Sequence, residues 1–448
     1  MVKPYPLEPL VTRLLSPLES FLRATTSGGL VLIAATVVAL LTASIFGGDA
    51  VHAFWEHEIS LEISNFMRIH LTAHQVVNDA LMAIFFLLVG LELKRELIIG
   101  ELSRPREAML PVVAAIGGMI GPALIYLAFN RNPETMSGWG IPMATDIAFA
   151  IGVLVLLADR IPRGLLVFLT ALAIADDLGA VLIIAFFYTS SLDMHALVIA
   201  SWLYIGLLIL NAAGIRAVIP YAVIGAALWL AMLHSGVHAT IAGILLASAI
   251  PARPARNAQS FAKEVGSLHQ EMEKNSQNSE HQEDIARQIA LCAHKAQSPL
   301  HRIEAGLARW VTFGILPIFA LANAGIDLTA ISWAEALTAP VTLGVFFGLV
   351  FGKVLGVGLA SMFATGTKMA RLPASVTWPH LWGAGWLAGI GFTMSLFIAQ
   401  LAFRDPQLIE EAKLGILLGS LVSAVIGLLW LVIGPRKPAT SETLSTQH

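Results

Sequence analysis

Runs of about twenty apolar residues, interrupted by few charges, recur along almost the whole of this sequence. About twenty such residues are what one α-helix needs to cross a bilayer. The runs fall at residues 28–46, 76–93, 108–129, 139–157, 165–188, 195–213, 217–233, 237–250, 306–324, 340–363, 380–402 and 412–433. They predict an all-α integral membrane protein of about twelve transmembrane helices, because only internally hydrogen-bonded elements can span lipid. Composition agrees: of the 448 residues, 56% are apolar and 13% charged, against roughly a quarter charged in soluble domains.

The 27 Lys and Arg residues fix an orientation, since cytoplasmic segments retain positive charge. Lys3, Arg13, Arg23, Lys94, Arg95, Arg104, Arg106, Arg160, Arg163, Arg216, Lys368, Arg371, Arg436 and Lys437 fall on one side, with those between Arg253 and Arg309. The other side holds only Arg68, Arg131, Arg404 and Lys413. Both termini are therefore expected in the cytoplasm: an amphipathic N-terminus at 1–27, helices one to eight at 28–250, a long hydrophilic cytoplasmic segment at 251–305, helices nine to twelve at 306–433 and a tail at 434–448. Within 51–74 a partly alternating stretch, with Glu56, Glu58, Ile59, Leu61 and Ile63, predicts a short external hairpin. Residues 253–299 read as a solvated loop with one amphipathic turn at Ile285, Ile289 and Cys292, or alternatively as a regulatory element. A net charge of −3 with dispersed carriers gives no reason to expect a nucleic-acid partner. The single Cys292 cannot form an intrachain disulfide, which suits a bacterial inner membrane.

Ionisable groups in mid-bilayer cost at least about 2.5–3.5 kcal/mol each on insertion scales and are functional candidates by default. Four stand out: Asp146 in the fourth span, Asp176 and Asp177 in the fifth, and Lys353 in the tenth. Three acids and one base suit a cation site. Adjacent aspartates project about 100° apart on a helix, so Asp176 and Asp177 must do different jobs, one coordinating an ion while the other pairs with a base such as Lys353. Small residues flank them, and Gly344, Gly348, Gly352 and Gly356 recur every fourth residue beside Lys353, which permits close backbone approach.

Two spans carry breaks. Pro142 and the polar pair Thr145–Asp146 interrupt the fourth; Gly389 and Gly391 loosen the eleventh. If spans three to five match spans ten to twelve in inverted orientation, the breaks occupy corresponding positions, as in transporters whose sites lie at the midplane. Asp146 could then offset the positive ends of facing half-helices.

The stretches Ala-Thr-Asp-Ile-Ala-Phe-Ala (144–150), Ala-Ile-Ala-Asp-Asp-Leu-Gly-Ala (173–180) and Gly-Ile-Gly-Phe-Thr-Met-Ser (389–395) resemble the NhaA-type sodium/proton antiporter family. Val-Gly-Leu-Glu-Leu-Lys-Arg-Glu-Leu (89–97), His-Ser-Gly-Val-His-Ala-Thr (234–240), Ala-Asn-Ala-Gly (322–325) and Phe-Gly-Lys (351–353) follow in the same order. The similarity runs from about Gly28 to Leu431, apart from the 253–299 segment. Inverted repeats with two discontinuous crossing helices are a known feature of that family, so this part of the architecture belongs to the resemblance and is not independent of it.

The resemblance implies that Asp177 is the principal Na+ (or Li+) ligand and proton carrier, Asp176 its partner, and Lys353 the base paired with Asp176. It places Thr145 and Asp146 at the crossed breaks, and it associates Asp79, Glu92, Glu304 and His238 with a cytoplasmic funnel and pH response. It also implies a homodimer with the 51–74 hairpin at its interface, and electrogenic, pH-regulated exchange in the service of pH homeostasis. One departure stands out: Ala305 and Ala308 occupy positions near Glu304 where the family commonly has histidines. No redox or nucleotide motif appears, so no cofactor is expected beyond the transported Na+, Li+ and H+, and no enzymatic activity. The rival readings are an organic-anion/Na+ symporter or an ion channel on a related fold. More remote are an intramembrane aspartyl protease built on Asp146 and Asp177, which would leave the third acid, the buried Lys and the paired breaks without a role, and a serine-type protease built on Ser235 and His238.

Overall fold

The computed structural model describes residues 27–63, 67–158, 160–189, 192–254, 258–274, 279–373 and 375–434. The expected amphipathic N-terminus, apart from Ser27, and the expected tail beyond Gly434 lie outside these. Among the described residues ten helices are long and apolar enough to cross a membrane, and a bent helix pair makes an eleventh candidate. The expected span at 237–250 is only nine residues of helix, Ile241–Ala249, preceded by turns. At 1.5 Å per residue that is about 13 Å, well short of the roughly 30 Å hydrocarbon core.

In chain order, α1 (Ser27–Phe46) leads into the short α2 (Gly48–Trp55) and a hairpin of β1 (Glu58–Ile63) and β2 (Met67–Thr72), paired antiparallel with Glu58 opposite Thr72. Then come α3 (Ala73–Ile98), α4 (Pro105–Phe129), the half-helix α5 (Ile147–Val155), α6 (Arg163–Phe187), α7 (Met194–Ala212), α8 (Val218–Ser235) and α9 (Ile241–Ala249). They are followed by α10 (Ala258–Lys274), α11 (Ser279–Ala296), α12 (Pro299–Asn323), α13 (Pro340–Gly366), the half-helices α14 (Trp378–Ala388) and α15 (Phe392–Ala402), and α16 (Pro406–Ile433). Residues 76–81, 311–315 and 348–352 are wound as π-helix within α3, α12 and α13.

The chain divides into two compact units. The first comprises the described residues within Met1–Asn78, Glu101–Tyr188 and Thr312–His448. Here α13 lies along α4, α6 packs on α4, and α16 runs beside α13, α14 and α15. The glycine stripe expected on α13 is one half of a seam. A side chain at Gly356 would fall on the Gly117 carbonyl, and a Cβ at Gly352 would stand 2.6 Å from the Pro122 Cα. Backbones this close allow tight packing where lipid gives helices no hydrophobic reason to associate.

The second unit comprises Asp79–Gly100 and Thr189–Val311. Leu91, Leu207, Tyr221, Leu228 and Ala247 form its core. Residues 258–274 and 279–296, read from sequence as a loop with one amphipathic turn, form the helical hairpin α10–α11. Leu268, Ile285 and Cys292 are buried between its helices, flanked by Phe261, Met272 and Ile289. Apolar residues three or four apart on both strands of the hairpin let each helix cover the other, a pattern masked in sequence by the Gln/Asn/Ser-rich centre.

The seam makes a testable contrast. Gly356→Ala overpacks a backbone contact and is expected to cost about 1–3 kcal/mol, whereas Gly29→Ala, with open space around its Cβ, is expected to be neutral or to stabilise by up to about 1 kcal/mol. Thermal melting of the two variants in detergent compares them.

Candidate functional site

Two interrupted helices meet in the first unit. Before α5 the chain makes a tight 3₁₀ stretch at Ser137–Met143, holding Pro142, and then runs extended through Ala144 to Asp146. The second break, Gly389–Gly391, separates α14 from α15, which bend by 46°. Each break satisfies polar groups of the other. The Asp146 N–H donates to the Ile390 carbonyl at 2.7 Å, and the Ser395 hydroxyl donates to the Ile141 carbonyl at 2.7 Å. The glycines are required by proximity: a Cβ at Gly389 would stand 2.5 Å from the Leu349 carbonyl oxygen, and one at Gly391 would strike the Ser395 hydroxyl.

Asp146, 2% exposed, caps two helices with one carboxylate. Its Oδ1 accepts from the Phe149 N–H at 3.0 Å, closing the N-terminus of α5. Its Oδ2 accepts from the Thr393 N–H at 3.1 Å and from the Thr393 hydroxyl, at the N-terminus of α15. Negative charge at the facing positive ends of two half-helices is favourable, which is the offset the sequence suggested.

Asp176 and Lys353 are fully buried. Spacing left open which aspartate takes the lysine; here the Lys353 Nζ donates to Asp176 Oδ2 at 2.5 Å. The same oxygen lies 2.8 Å from the Thr145 hydroxyl, which is also 2.8 Å from the Ala388 carbonyl oxygen, the last of α14. Thr145 has one proton for these two acceptors. Asp176 Oδ1 is buried and has no hydrogen-bond partner among the described residues, so half of this carboxylate remains available to a proton or a cation. Asp177, one residue along α6, is 1% exposed. Gly118 of α4 leaves the room beside Lys353 that a Cβ would take, 3.7 Å from Nζ.

The other expected residues lie in the second unit. Glu304 faces the Arg95 Nε at 3.4 Å and the His301 Nδ1 at 3.7 Å, and Glu92 is in Coulombic reach of Glu304, Arg95 and Glu96. His301, one helical turn before Glu304, was not singled out from sequence; the i, i+3 spacing was its signal. The Asp79 carbonyl accepts from the Trp229 indole at 3.0 Å. His238 sits in the turn before α9, its carbonyl accepting from the Ile241 N–H at 3.1 Å. Ser235, weighed above as a nucleophile, donates to the Met232 carbonyl and accepts from the Val237 N–H, the work of a turn residue.

Removing one partner of a buried ion pair strands the other. Lys353→Met is expected to cost about 3–5 kcal/mol, and adding Asp176→Asn should recover most of it. A double-mutant cycle on melting temperatures in detergent checks both outcomes.

The sequence profile of a family described as Na+/H+ antiporter 1 matches residues 19–431. A protein of Syntrophobacter fumaroxidans named Na(+)/H(+) antiporter NhaA is 51% identical over 447 residues, covering 96% of this chain and 93% of its own. Proteins of the same name from Acidithiobacillus ferrooxidans and Oleidesulfovibrio alaskensis are 53% and 45% identical, covering 95% and 96% of this chain and 99% and 96% of their own.

Proposed function

This chain belongs to the Na+/H+ antiporter 1 family, and from that membership we propose that Na+ (or Li+) and H+ occupy one buried site in turn, centred on Asp177 and Asp176. The protein is a multi-pass membrane transporter that exchanges Na+ for H+, and not an enzyme. The observation that carries the reading of the site is the half-filled carboxylate of Asp176, with Oδ2 bound by Lys353 and Thr145 and Oδ1 buried without a donor among the described residues.

A hard monovalent cation needs oxygen ligands in place of water. A carboxylate, a hydroxyl and carbonyls at a helix break supply them. Asp177 takes the cation when deprotonated. Asp176, held by Lys353, accepts the charge rearrangement that accompanies loading. Cation enters from the cytoplasm, the assembly turns outward, protons displace the cation, and the protonated form returns. Exchange is obligatory when the empty, charged site cannot cross.

Two protons per cation would move one net charge per cycle, driven at about 2.3 kcal/mol per 100 mV. In this reading both termini are cytoplasmic in a bacterial inner membrane, and Asp79, Glu92, Glu304 and His238 set the pH response. The β1–β2 hairpin contributes to a homodimer.

In proteoliposomes holding a pH gradient, Na+ or Li+ is expected to collapse the gradient with the wild type and to do nothing with Asp177→Asn. Because proton and cation compete, the apparent KM for Na+ should rise as pH falls, by up to about tenfold per unit for each competing proton. A wild type unresponsive to both ions at neutral and mildly alkaline pH would defeat the reading. An active Asp177→Asn would move the site elsewhere.

A further inference from the structure

Hydroxyls in membrane helices have a local solution to burial, donation to the carbonyl four residues back. Thr36, Thr170, Ser201, Ser361 and Thr365 all take it, at 2.7–2.9 Å. Ser423 of α16 does not. It is fully buried, and its Oγ has no hydrogen-bond partner among the described residues. An unpaired buried hydroxyl costs about 1–3 kcal/mol, so a rotamer that forgoes the available bond needs a reason.

Its position supplies one. The Ser423 Oγ lies against Gly389, where a Cβ would come within 2.6 Å of it. One turn earlier on the same face of α16, Ser420 accepts the Phe392 N–H at 3.1 Å. The helix α16 therefore presents two hydroxyls to the break: Ser420 serves the N-terminal side of α15, and Ser423 stands unused at the C-terminal side of α14. That is the end whose last carbonyl, Ala388, depends on the single proton of Thr145. Whenever Thr145 turns that proton to Asp176, the α14 end loses a donor at a depth where lipid can supply none.

We propose that Ser423 is a positioning residue of the exchange cycle: its hydroxyl is held in reserve beside Gly389 and donates to the C-terminal carbonyls of α14 when the break rearranges. It stabilises the alternate conformation and touches neither ion. The inference rests on the antiport reading above. No bond is made or broken beyond this hydrogen-bond exchange.

The test is Na+-driven proton flux of Ser423→Ala in proteoliposomes, with wild type, Ser423→Cys and Ser361→Ala in parallel, and melting of each in detergent. Ser423→Ala removes an unpaired group from the present conformation, so its melting temperature should equal or exceed the wild type's. Its turnover should fall about tenfold while the half-saturating Na+ concentration stays the same. Ser423→Cys, with a weak S–H donor, should restore part of the rate, and Ser361→Ala, which loses only a local back-bond, should keep it. Wild-type turnover in Ser423→Ala would overturn the inference alone. A lowered melting temperature would also overturn it, because the hydroxyl would then be paired in the ground state. Absence of Na+-driven flux in the wild type would defeat the antiport reading, and this inference with it.

Discussion

A backbone that stops being helical inside a bilayer leaves N–H and C=O groups that lipid cannot satisfy, at several kcal/mol each. The first unit resolves this by crossing two breaks, so that each supplies what the other lacks. Ile390 offers a carbonyl to Asp146, Ser395 a hydroxyl to Ile141, and Thr145 a hydroxyl to Ala388. The two positive half-helix ends share the Asp146 carboxylate. Everything else in the site presupposes this contact. Gly389 and Gly391 are needed because of what touches them, and Thr145 reaches Asp176 only because its own segment is extended.

How much of this was legible depends on whether the signal is local. The broken spans announced themselves through Pro142, Thr145–Asp146 and the Gly389–Gly391 pair, because helix interiors rarely carry such residues. Asp176, Asp177 and Lys353 stood out because charge is expensive in lipid. Thr393, Ser395, Ser420 and Ser423 carried no comparable mark, since a hydroxyl in a membrane helix usually bonds its own turn. The partners of Thr393, Ser395 and Ser420 lie on other elements, more than 200 residues away along the chain for the first two. Gly117 and Gly121 were equally silent: the stripe on α13 was visible, but the backbone that fills it belongs to α4. The helical hairpin α10–α11 was obscured by a polar centre, and α9 by apolar residues that continue past its helical ends into turns.

Counting donors on each buried carboxylate distinguishes Asp146 from Asp176. Asp146 has donors on both oxygens, and three of its bonds come from the starts of two helices. A proton or cation there would have to displace a helix terminus. Asp176 has two donors on one oxygen and, among the described residues, none on the other, so a change on its open oxygen leaves the crossing intact. The pairing also carries a message. While Thr145 donates to Asp176 Oδ2 it cannot donate to the Ala388 carbonyl, and while it donates to Ala388 it cannot donate to Asp176. The hydrogen bonding of the Asp176 carboxylate is thus tied, through one hydroxyl, to that of a half-helix end, and a change at either acceptor is felt at the other.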